Sequence, residues 1–429
     1  MFVHPAARAA VASTIALILV TFSVVVWLGA STLTIPVLTQ APRERIAPIT
    51  DPTQLPRLSF DRLQYLGAFR LPGGSANGDT FAYGGGPMAF NDARNSLFVA
   101  ARSGRVAEIT VPDPVNSADI PSLPTAEYLQ AFEEPTEGHI KDVASEGAGL
   151  AGLLVHRGRL YGTGLIYYDA TNAQRVSHFS RPISLSSKGA TPMRAMWQEK
   201  RSGFVAGYLA LVPDEWQSRL GGPAITGQCC VPIVSRTSWG PSAFAWEPSE
   251  VDLKAEVGAI PLVYYPGDHP TLGPWSGSNP TYGATAEVAG VALISGTRTA
   301  LFVGRNGMGP YCYGNGTGDK SLDQTTDKTG TKFCYDPANA SKGQHAYPYR
   351  YQMWAYDLSE WAEVRAGRRE PWSVIPYAVW PFELPTPEAS VRILGVAYDP
   401  GRRRLYVSQR SADKDTYTSR ALLHVFHLP

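Results

Sequence analysis

The chain has 429 residues, of which 44% are hydrophobic and 17% are charged, so it can form a globular core and is not expected to be disordered. Its 38 basic and 37 acidic residues give a formal net charge of +1, which argues against a nucleic-acid-binding protein. The 41 glycines and 35 prolines favour short strands joined by turns over long amphipathic helices.

The N-terminal segment is predicted to enter a membrane. No charged residue occurs between Arg8 and Arg43, and the apolar run from Ala9 to Leu33 is long enough to span a bilayer, which takes about 20 residues. We favour an uncleaved anchor; the alternative is a signal peptide cleaved near Ala30. Both place the rest of the chain outside the cytoplasm. The predicted organisation is an anchor or signal peptide at 1–35, a proline-rich linker at 36–57 and a folded domain at 58–429.

One phrase recurs along the folded domain. It consists of an apolar stretch with small residues, a turn rich in Asp, Asn, Gly or Arg, and a second stretch that begins Leu-Phe-Val or Leu-Tyr, as in "ILGVAYDPGRRRLYVSQRS" and "VAGVALISGTRTALFVGRNG". This pattern predicts a β-hairpin. Five hairpins are predicted, and they start near Tyr83, Gly147, Gly203, Glu287 and Val391.

Two more strands are predicted after each hairpin except the last, which has only one. The third strands are "RVAEITV", "RVSHFSR", "SAFAWEP", "YQMWAYDL" and "ALLHVFHL"; the outer strands are "AEYLQAF", "PMRAMWQ", "PLVYYPG" and "YAVWPFEL". The missing outer strand is "LQYLGAF", Leu63 to Phe69, which comes from the other end of the domain and leaves no exposed sheet edge. The predicted fold is all-β, a five-bladed β-propeller. Six or seven blades are the alternatives if Gly203 to Pro266 holds two small blades.

Four segments, "YLGAFRLP", "YGGGPMAFNDARNSLFVA", "VAEITVP" and "SRTSWGPSAFAWEP", resemble segments of uncharacterised secreted bacterial β-propeller-like proteins. The resemblance covers most of the chain after the linker. It implies a propeller-like fold outside the cytoplasm. It carries no assigned activity, so no catalytic residue is transferred from it.

Several polar residues are predicted to meet at one mouth of the propeller channel. Antiparallel geometry puts the start of each first strand and the end of each second strand at the same face. Glu146 and Glu287 precede two first strands. The polar residues that follow second strands are Arg102, Arg305, Asn306, Gln409 and Arg410.

Such a mouth is predicted to bind a polar ligand, and a carbohydrate is the favoured class, with Trp239, Trp275 and Tyr282 as sugar-stacking candidates. One alternative is a glycoside hydrolase or lyase that uses Glu146 and Glu287 as acid and as base or nucleophile. Another is a protein-interaction scaffold, and in a third the carboxylates and arginines only neutralise each other. Whether the protein is an enzyme is open at this point.

The four cysteines suit an oxidising compartment. Cys312 and Cys334 enclose 21 polar and glycine-rich residues, and a disulfide between them would restrain that loop. The adjacent Cys229 and Cys230 form either a vicinal disulfide or two buried thiols. No CxxC motif or close histidine pair indicates zinc.

No cofactor is assigned from the sequence. Asp319, Asp323 and Asp327 could hold calcium, but they lack the turn glycine and bidentate acid of a known calcium loop, so a solvated loop is expected. The predicted partners are a polar small molecule or glycan, and the membrane through the N-terminal segment only. The oligomeric state is not determined by the sequence.

Overall fold

A computed structural model describes residues 51–196, 199–228, 237–274, 276–387 and 390–429. The predicted anchor segment, Cys229, Cys230 and Trp275 lie outside the described residues. No helix within the described ranges combines the length and the apolar character that crossing a membrane requires.

Short strands dominate the described residues. In chain order they are β1 Gln64–Arg70, β2 Met88–Asn91, β3 Ser96–Ala100, β4 Val106–Thr110, β5 Tyr128–Glu133, β6 Ala148–His156, β7 Arg159–Ile166, β8 His178–Pro182, β9 Ala195–Met196, β10 Leu209–Leu211, β11 Ala224–Thr226 and β12 Ala243–Trp246. They continue with β13 Glu256–Val257, β14 Ile260–Val263, β15 Glu287–Ile294, β16 Thr299–Gly307, β17 Cys312–Thr317, β18 Phe333–Tyr335, β19 Lys342–His345, β20 Tyr349–Asp357, β21 Ala378–Phe382, β22 Ile393–Asp399, β23 Arg404–Lys414 and β24 Ser419–His427. The α-helices are α1 Asp214–Leu220 and α2 Leu358–Arg365.

The fold is all-β and is built mainly from antiparallel sheets. Sheet I contains β2 to β5 and sheet II contains β6 to β8. Sheet III contains β10, β11, β12 and β14, and sheet IV contains β15, β16, β20 and β21. Sheet V contains β22, β23 and β24 with β1 at its edge. The predicted all-β class is therefore confirmed.

The strand at the start of the domain completes the last sheet, as predicted. β1 runs antiparallel to β24, with Gln64 opposite His427 and Arg70 opposite Leu422. This pairing gives β24 a partner on both sides, so the C-terminal strand is not an exposed edge.

Four of the five predicted hairpins form with a short connection. Near Gly203 the two strands, β10 and β11, also pair antiparallel, but the predicted tight turn between them is wrong. A helix, α1, connects β10 to β11 in place of a tight turn. Its start and end follow ordinary helix signals, since Asp214 and Glu215 occupy the first turn and Gly221 is left-handed at the C-terminal cap. The described residues between Gly203 and Pro266 form one four-stranded sheet, with β13 outside it.

The predicted outer strand "PMRAMWQ" also differs from expectation. β9, within it, pairs in parallel with β13 and not with the third strand of sheet II. Among the described residues, Arg194 forms an isolated antiparallel bridge with His178 of β8, and the N–H of Thr191 donates to the carbonyl oxygen of Ser180 (2.9 Å). Sheet II therefore has three strands.

The core lies between the sheets, which explains why the second strands are apolar without alternation. All nine residues of β16 are buried, because side chains on both of its faces meet a neighbouring sheet. Each sheet shares a hydrophobic cluster with the next one in the chain, and sheet V shares one with sheet I.

The first strands of the five sheets also contact one another in the same cyclic order, β2 with β6, β6 with β10, β10 with β15, β15 with β22 and β22 with β2. A cavity of about 350 Å³ lies between them. Each first strand contributes to its wall, through Met88, Leu153, Leu209, Val291 and Val396 among others.

Candidate functional site

Glycines bring the first strands together where those strands begin. A β-bulge at this point interrupts β6, β15 and β22, and a glycine follows it in each strand. A Cβ on Gly290 would lie 2.6 Å from Cβ of Val396, and one on Gly152 would overlap the carbonyl oxygen of Gly207. The small residue of the repeated phrase is therefore a close-packing position.

We call this end of the sheets the loop-rich face, because first strands begin there and second strands end there. Glu287 opens β15 at this face, and its carboxylate accepts hydrogen bonds from Arg305 (2.7 Å) and Arg392 (3.0 Å). The two arginines come from different sheets, since Arg305 lies near the end of β16 and Arg392 immediately precedes β22. One carboxylate thus links sheets IV and V.

Glu287 remains ionised in this setting. Burial by itself would raise the pKa of the carboxyl, but the charges of Arg305 and Arg392, the hydrogen bond from Arg305 and the charge of Arg410 outweigh it. The resulting pKa is below its ordinary value. The side chain of Glu287 is 17% exposed. Its ionised carboxylate is suited to pairing with cationic side chains and not to donating a proton.

Arg305 is fixed from three directions. Besides Glu287, it donates to the carbonyl oxygen of Ser390 (2.6 Å), and its guanidinium carbon lies 4.1 Å from the ring centroid of Tyr349. The Tyr349 hydroxyl in turn donates to Asp336 (2.7 Å), whose carboxylate also bonds Nδ1 of His345 (2.8 Å). Arg305 is therefore tied to the insertion between β16 and β20.

Tyr167 also reaches this cluster, from sheet II. It follows β7, and 59% of the residue is exposed. Burial of its hydroxyl end, and then the negative charge of Glu287, raise the pKa of Tyr167, while the charges of Arg392 and Arg305 act in the opposite direction. The phenol is thus protonated, and it lies close enough to the ion pairs to interact with their charges.

Part of this cluster was predictable from the sequence. Glu287, Arg305 and Arg410 were expected at this face, and the structure brings them together. Arg392 and Tyr167 were missed, although the same topological rule covers them, because Arg392 precedes a first strand and Tyr167 follows a second strand. We call these five residues the arginine mouth.

Two other predicted residues lie outside the arginine mouth. Glu146 is exposed, and no described residue forms a hydrogen bond or ion pair with its carboxylate. Arg102 is also exposed, in the turn after β3.

Asn306 and Gln409 are buried and bonded within the protein. The Asn306 side chain accepts from the backbone N–H of Gly283 (3.0 Å) and donates to the carbonyl oxygen of Asn279 (2.8 Å). Gln409 donates to Tyr351 (2.9 Å), and its carbonyl oxygen is bonded by Nε2 of His424 (2.8 Å). Both amides therefore support the loop-rich face from inside.

The predicted sugar-stacking residues Trp239 and Tyr282 belong to the core. Trp239 is 1% exposed and donates to the carbonyl oxygen of Leu272 (2.6 Å), while Tyr282 is fully buried against Trp354. Neither ring has a face open to a ligand in this structure. Their large apolar area is used to pack sheets III and IV together.

The insertion between β16 and β20 contains the predicted disulfide. Cys312 and Cys334 are bonded, with their Cα atoms 5.7 Å apart. Of the aspartates considered for calcium, Asp319 and Asp327 cap their own turns and Asp323 accepts from the N–H of Tyr335 (2.7 Å). Within the described ranges, no three His, Cys, Asp or Glu residues cluster as metal ligands.

A second buried carboxylate lies towards the opposite face. Glu108 of β4 is fully buried and accepts from Asn91 (2.9 Å), Arg94 (2.7 Å), Ser96 (2.5 Å) and Gln130 (2.7 Å). Three of these donors line a cavity of about 660 Å³. With four donors, Glu108 organises the wall of this cavity and has little capacity left for a ligand.

No protein-family model matches the sequence, and no curated protein is detectably related to it. Solved structures give loose likenesses. They include a glycosyl hydrolase from Bacteroides ovatus, with 9% identity, a TM-score of 0.40 and coverage of 87% of this chain and 93% of that one. A GH43 endo-arabinanase from Bacillus licheniformis has 10% identity, a TM-score of 0.37 and coverage of 82% and 95%. A luciferin-regenerating enzyme has 8% identity, a TM-score of 0.36 and coverage of 85% and 94%. Likenesses at this level assign neither a family nor an activity to the chain.

Proposed function

We propose that the chain is an extracytoplasmic five-bladed β-propeller that binds an acidic carbohydrate at the arginine mouth. Cyclic contact between the five first strands supports the architecture, as does the shared cavity that they line. The disulfide and the apolar segment from Ala9 to Leu33 support a location outside the cytoplasm, anchored or secreted.

The observation that carries the functional proposal is the charge of the arginine mouth. Arg305, Arg392 and Arg410 act on the single carboxylate of Glu287, so these four side chains together hold three positive charges and one negative charge. Guanidinium groups bind carboxylates and phosphates well because their donors match the spacing of the oxygens. Arg392 is 29% exposed, so a ligand can reach it.

A carbohydrate ligand is favoured over a small inorganic anion because Tyr167 offers an exposed ring next to the cations. An acidic sugar presents both a carboxylate and an apolar ring face, which suits a guanidinium beside a phenol. Binding is favoured over hydrolysis with Glu287 as the general acid, because that role needs a raised pKa, whereas the pKa of Glu287 is lowered.

The proposal is tested by calorimetry with a hexuronic acid tetrasaccharide and a neutral glucose tetrasaccharide of equal length. The acidic tetrasaccharide should bind, and the neutral one should bind at least about tenfold more weakly. Arg392→Ala and Arg410→Ala should each lower the affinity for the acidic tetrasaccharide by about tenfold. The control is Arg368→Ala, which removes an exposed arginine that follows helix α2 and pairs with Glu363.

Equal affinity for the acidic and neutral chains, or normal binding by both arginine variants, would overturn the proposal. Mass spectrometry of the same mixtures separates binding from cleavage. Shortened products would replace the binding proposal with a hydrolase or lyase.

A further inference from the structure

The exposed tyrosines of the protein are concentrated at one face. Of its 21 tyrosines, all of which lie in the described ranges, five are exposed, and all five stand on segments of the loop-rich face. Their exposed fractions are 50% for Tyr83, 59% for Tyr167, 72% for Tyr168, 52% for Tyr313 and 87% for Tyr417. They precede β2, follow β7, lie in the insertion after β16 or form the β23–β24 turn.

This one-sided distribution is not explained by folding. Phenol rings are normally buried in part, and here 16 other tyrosines are. An exposed ring provides a large, flat apolar face with few rotatable bonds, and it therefore binds partners at a small entropic cost. Five such rings on the face that carries a charged mouth indicate a binding surface wider than the mouth itself.

Part of this surface is preformed. The Tyr83 hydroxyl donates to the carbonyl oxygen of Tyr417 (2.8 Å), which joins the segment before β2 to the β23–β24 turn. The Asp415 carboxylate accepts from the N–H groups of Tyr417 (2.9 Å) and Thr418 (2.6 Å). The turn that presents the most exposed tyrosine is therefore held by hydrogen bonds.

The tyrosines also come from different sectors of the face. Tyr83 lies on the segment before sheet I, and Tyr167 and Tyr168 follow the second strand of sheet II. Tyr313 lies in the insertion of sheet IV, and Tyr417 lies in the β23–β24 turn of sheet V. One monosaccharide at the arginine mouth cannot reach platforms on several sheets. A ligand that uses them must extend across the face.

We propose that the loop-rich face binds an extended acidic polysaccharide, with one acidic group at the arginine mouth and flanking sugar units stacked on Tyr83, Tyr168, Tyr313 and Tyr417. This inference rests on the proposed function and specifies its ligand as a chain. The arginines provide the charge preference, and the tyrosines provide an affinity that grows with chain length.

The test is calorimetric binding of hexuronic acid di-, tetra- and octasaccharides to the full chain. Affinity should rise by about tenfold or more from disaccharide to octasaccharide. Tyr168→Ala and Tyr417→Ala should each lower the affinity for the octasaccharide by about three- to tenfold, the size expected for one lost aromatic contact. The affinity for the disaccharide should not change. The matched control is Trp372→Ala, which removes an exposed aromatic ring (41%) between β20 and β21, away from the loop-rich face.

Two failures are distinguishable. If the disaccharide binds but affinity does not rise with length, or if both tyrosine variants bind the octasaccharide normally, the polysaccharide inference is overturned and the proposed function stands. If no acidic saccharide of any length binds, the proposed function fails, and the inference fails with it.

Discussion

Glu287 is a carboxylate whose ionisation depends on its neighbours. Burial opposes its charge, and three arginines on two sheets more than compensate. Its hydrogen bonds to Arg305 and Arg392 also connect sheet IV to the start of sheet V. The residue therefore has a structural role that is independent of any ligand.

Replacing Glu287 with Gln should destabilise the protein in a pH-dependent way. At pH 7 the variant should lose about 2–4 kcal/mol of unfolding free energy, because several guanidinium groups lose their counter-charge in a partly buried site. The pKa is depressed in the folded state, so the native contribution is fully present above the unfolded value of about 4.3 and disappears as the pH falls through the folded value.

The measurement is urea denaturation of both proteins from pH 7 to pH 3. The difference between them should shrink towards acid pH. Glu363→Gln, which affects an exposed pair with Arg368, should show little change and serves as the control. A difference between wild type and Glu287→Gln that is constant over this range would contradict the assignment.

At the scale of residues, the sequence predicted which side chains lie at the loop-rich face better than it predicted which side chains are buried. The topological rule placed Glu287, Arg305 and Arg410 correctly, since it needs only strand direction. Burial was not predictable in the same way. Trp239 and Tyr282 are chemically suited to stacking on sugars, but whether a ring faces a ligand or a neighbouring sheet depends on how the sheets pack together.

The glycines of the first strands illustrate the same limit at the scale of elements. The repeated phrase indicated hairpins, but the reason for its small residues becomes clear only when neighbouring strands are in place. A Cβ on Gly152 would overlap the carbonyl oxygen of Gly207, whereas one on Gly149 in the same strand would meet nothing within 4 Å. The two positions differ only in their neighbours.

Gly152→Ala should therefore destabilise the protein by about 1–3 kcal/mol, the usual range for overpacking. Gly149→Ala in the same strand should be neutral or slightly stabilising, because it restricts only the unfolded chain. Thermal and urea unfolding of the two variants provide a direct comparison. Equal destabilisation would show that a strand preference, and not contact between first strands, governs these glycines.

The disulfide insertion is an element with two roles. It covers part of the loop-rich face, and through Asp336 and Tyr349 it orients Arg305. The double variant Cys312→Ser/Cys334→Ser should lose about 3 kcal/mol of unfolding free energy, as expected for a loop of this length. Its acidic-saccharide affinity should fall as well.

Denaturation with and without reductant measures the first effect, and calorimetry measures the second. Tyr349→Phe is the partner variant. It keeps the ring beside Arg305 but loses the hydroxyl bonded to Asp336, so a similar loss of affinity would assign the effect to this contact. Unchanged stability of the double variant in the absence of reductant would contradict the structural role.

Element types were predicted best where local signals agreed with long-range pairing. The hairpins around Tyr83, Gly147, Glu287 and Val391 form as expected. α1 was missed because an apolar run preceded it, although its own helix signals were present. The outer strand of sheet II was predicted only in part, because Arg194 bridges His178 of β8 whereas the two residues of β9 pair with β13.

At the scale of the whole molecule, the sheets depend on one another in a closed order of contacts. Phe69 of β1 shows this dependence, since it is fully buried in the cluster shared by sheets V and I. Phe69→Ala should destabilise the protein by about 3–5 kcal/mol, as for a large core ring. Phe60→Ala, at an exposed position (41%) just before β1, should cost much less.

Urea denaturation followed by tryptophan fluorescence and by far-ultraviolet circular dichroism tests this prediction. The two transitions should coincide in both variants, because the sheets unfold together. A separate early transition in Phe69→Ala would show that sheet V opens independently of the others.

The pairing of β1 with β24 has a consequence for biosynthesis. β1 is the first strand of the domain to be synthesised, and it cannot pair until β24, the last strand, has also been synthesised. Until synthesis is complete, the unfinished chain therefore carries an unpaired N-terminal strand and an open edge at β23, both of which favour aggregation. A chain that terminates before residue 419 cannot be rescued by the rest of its sequence, so premature truncation should yield a substrate for proteases and not a smaller working protein.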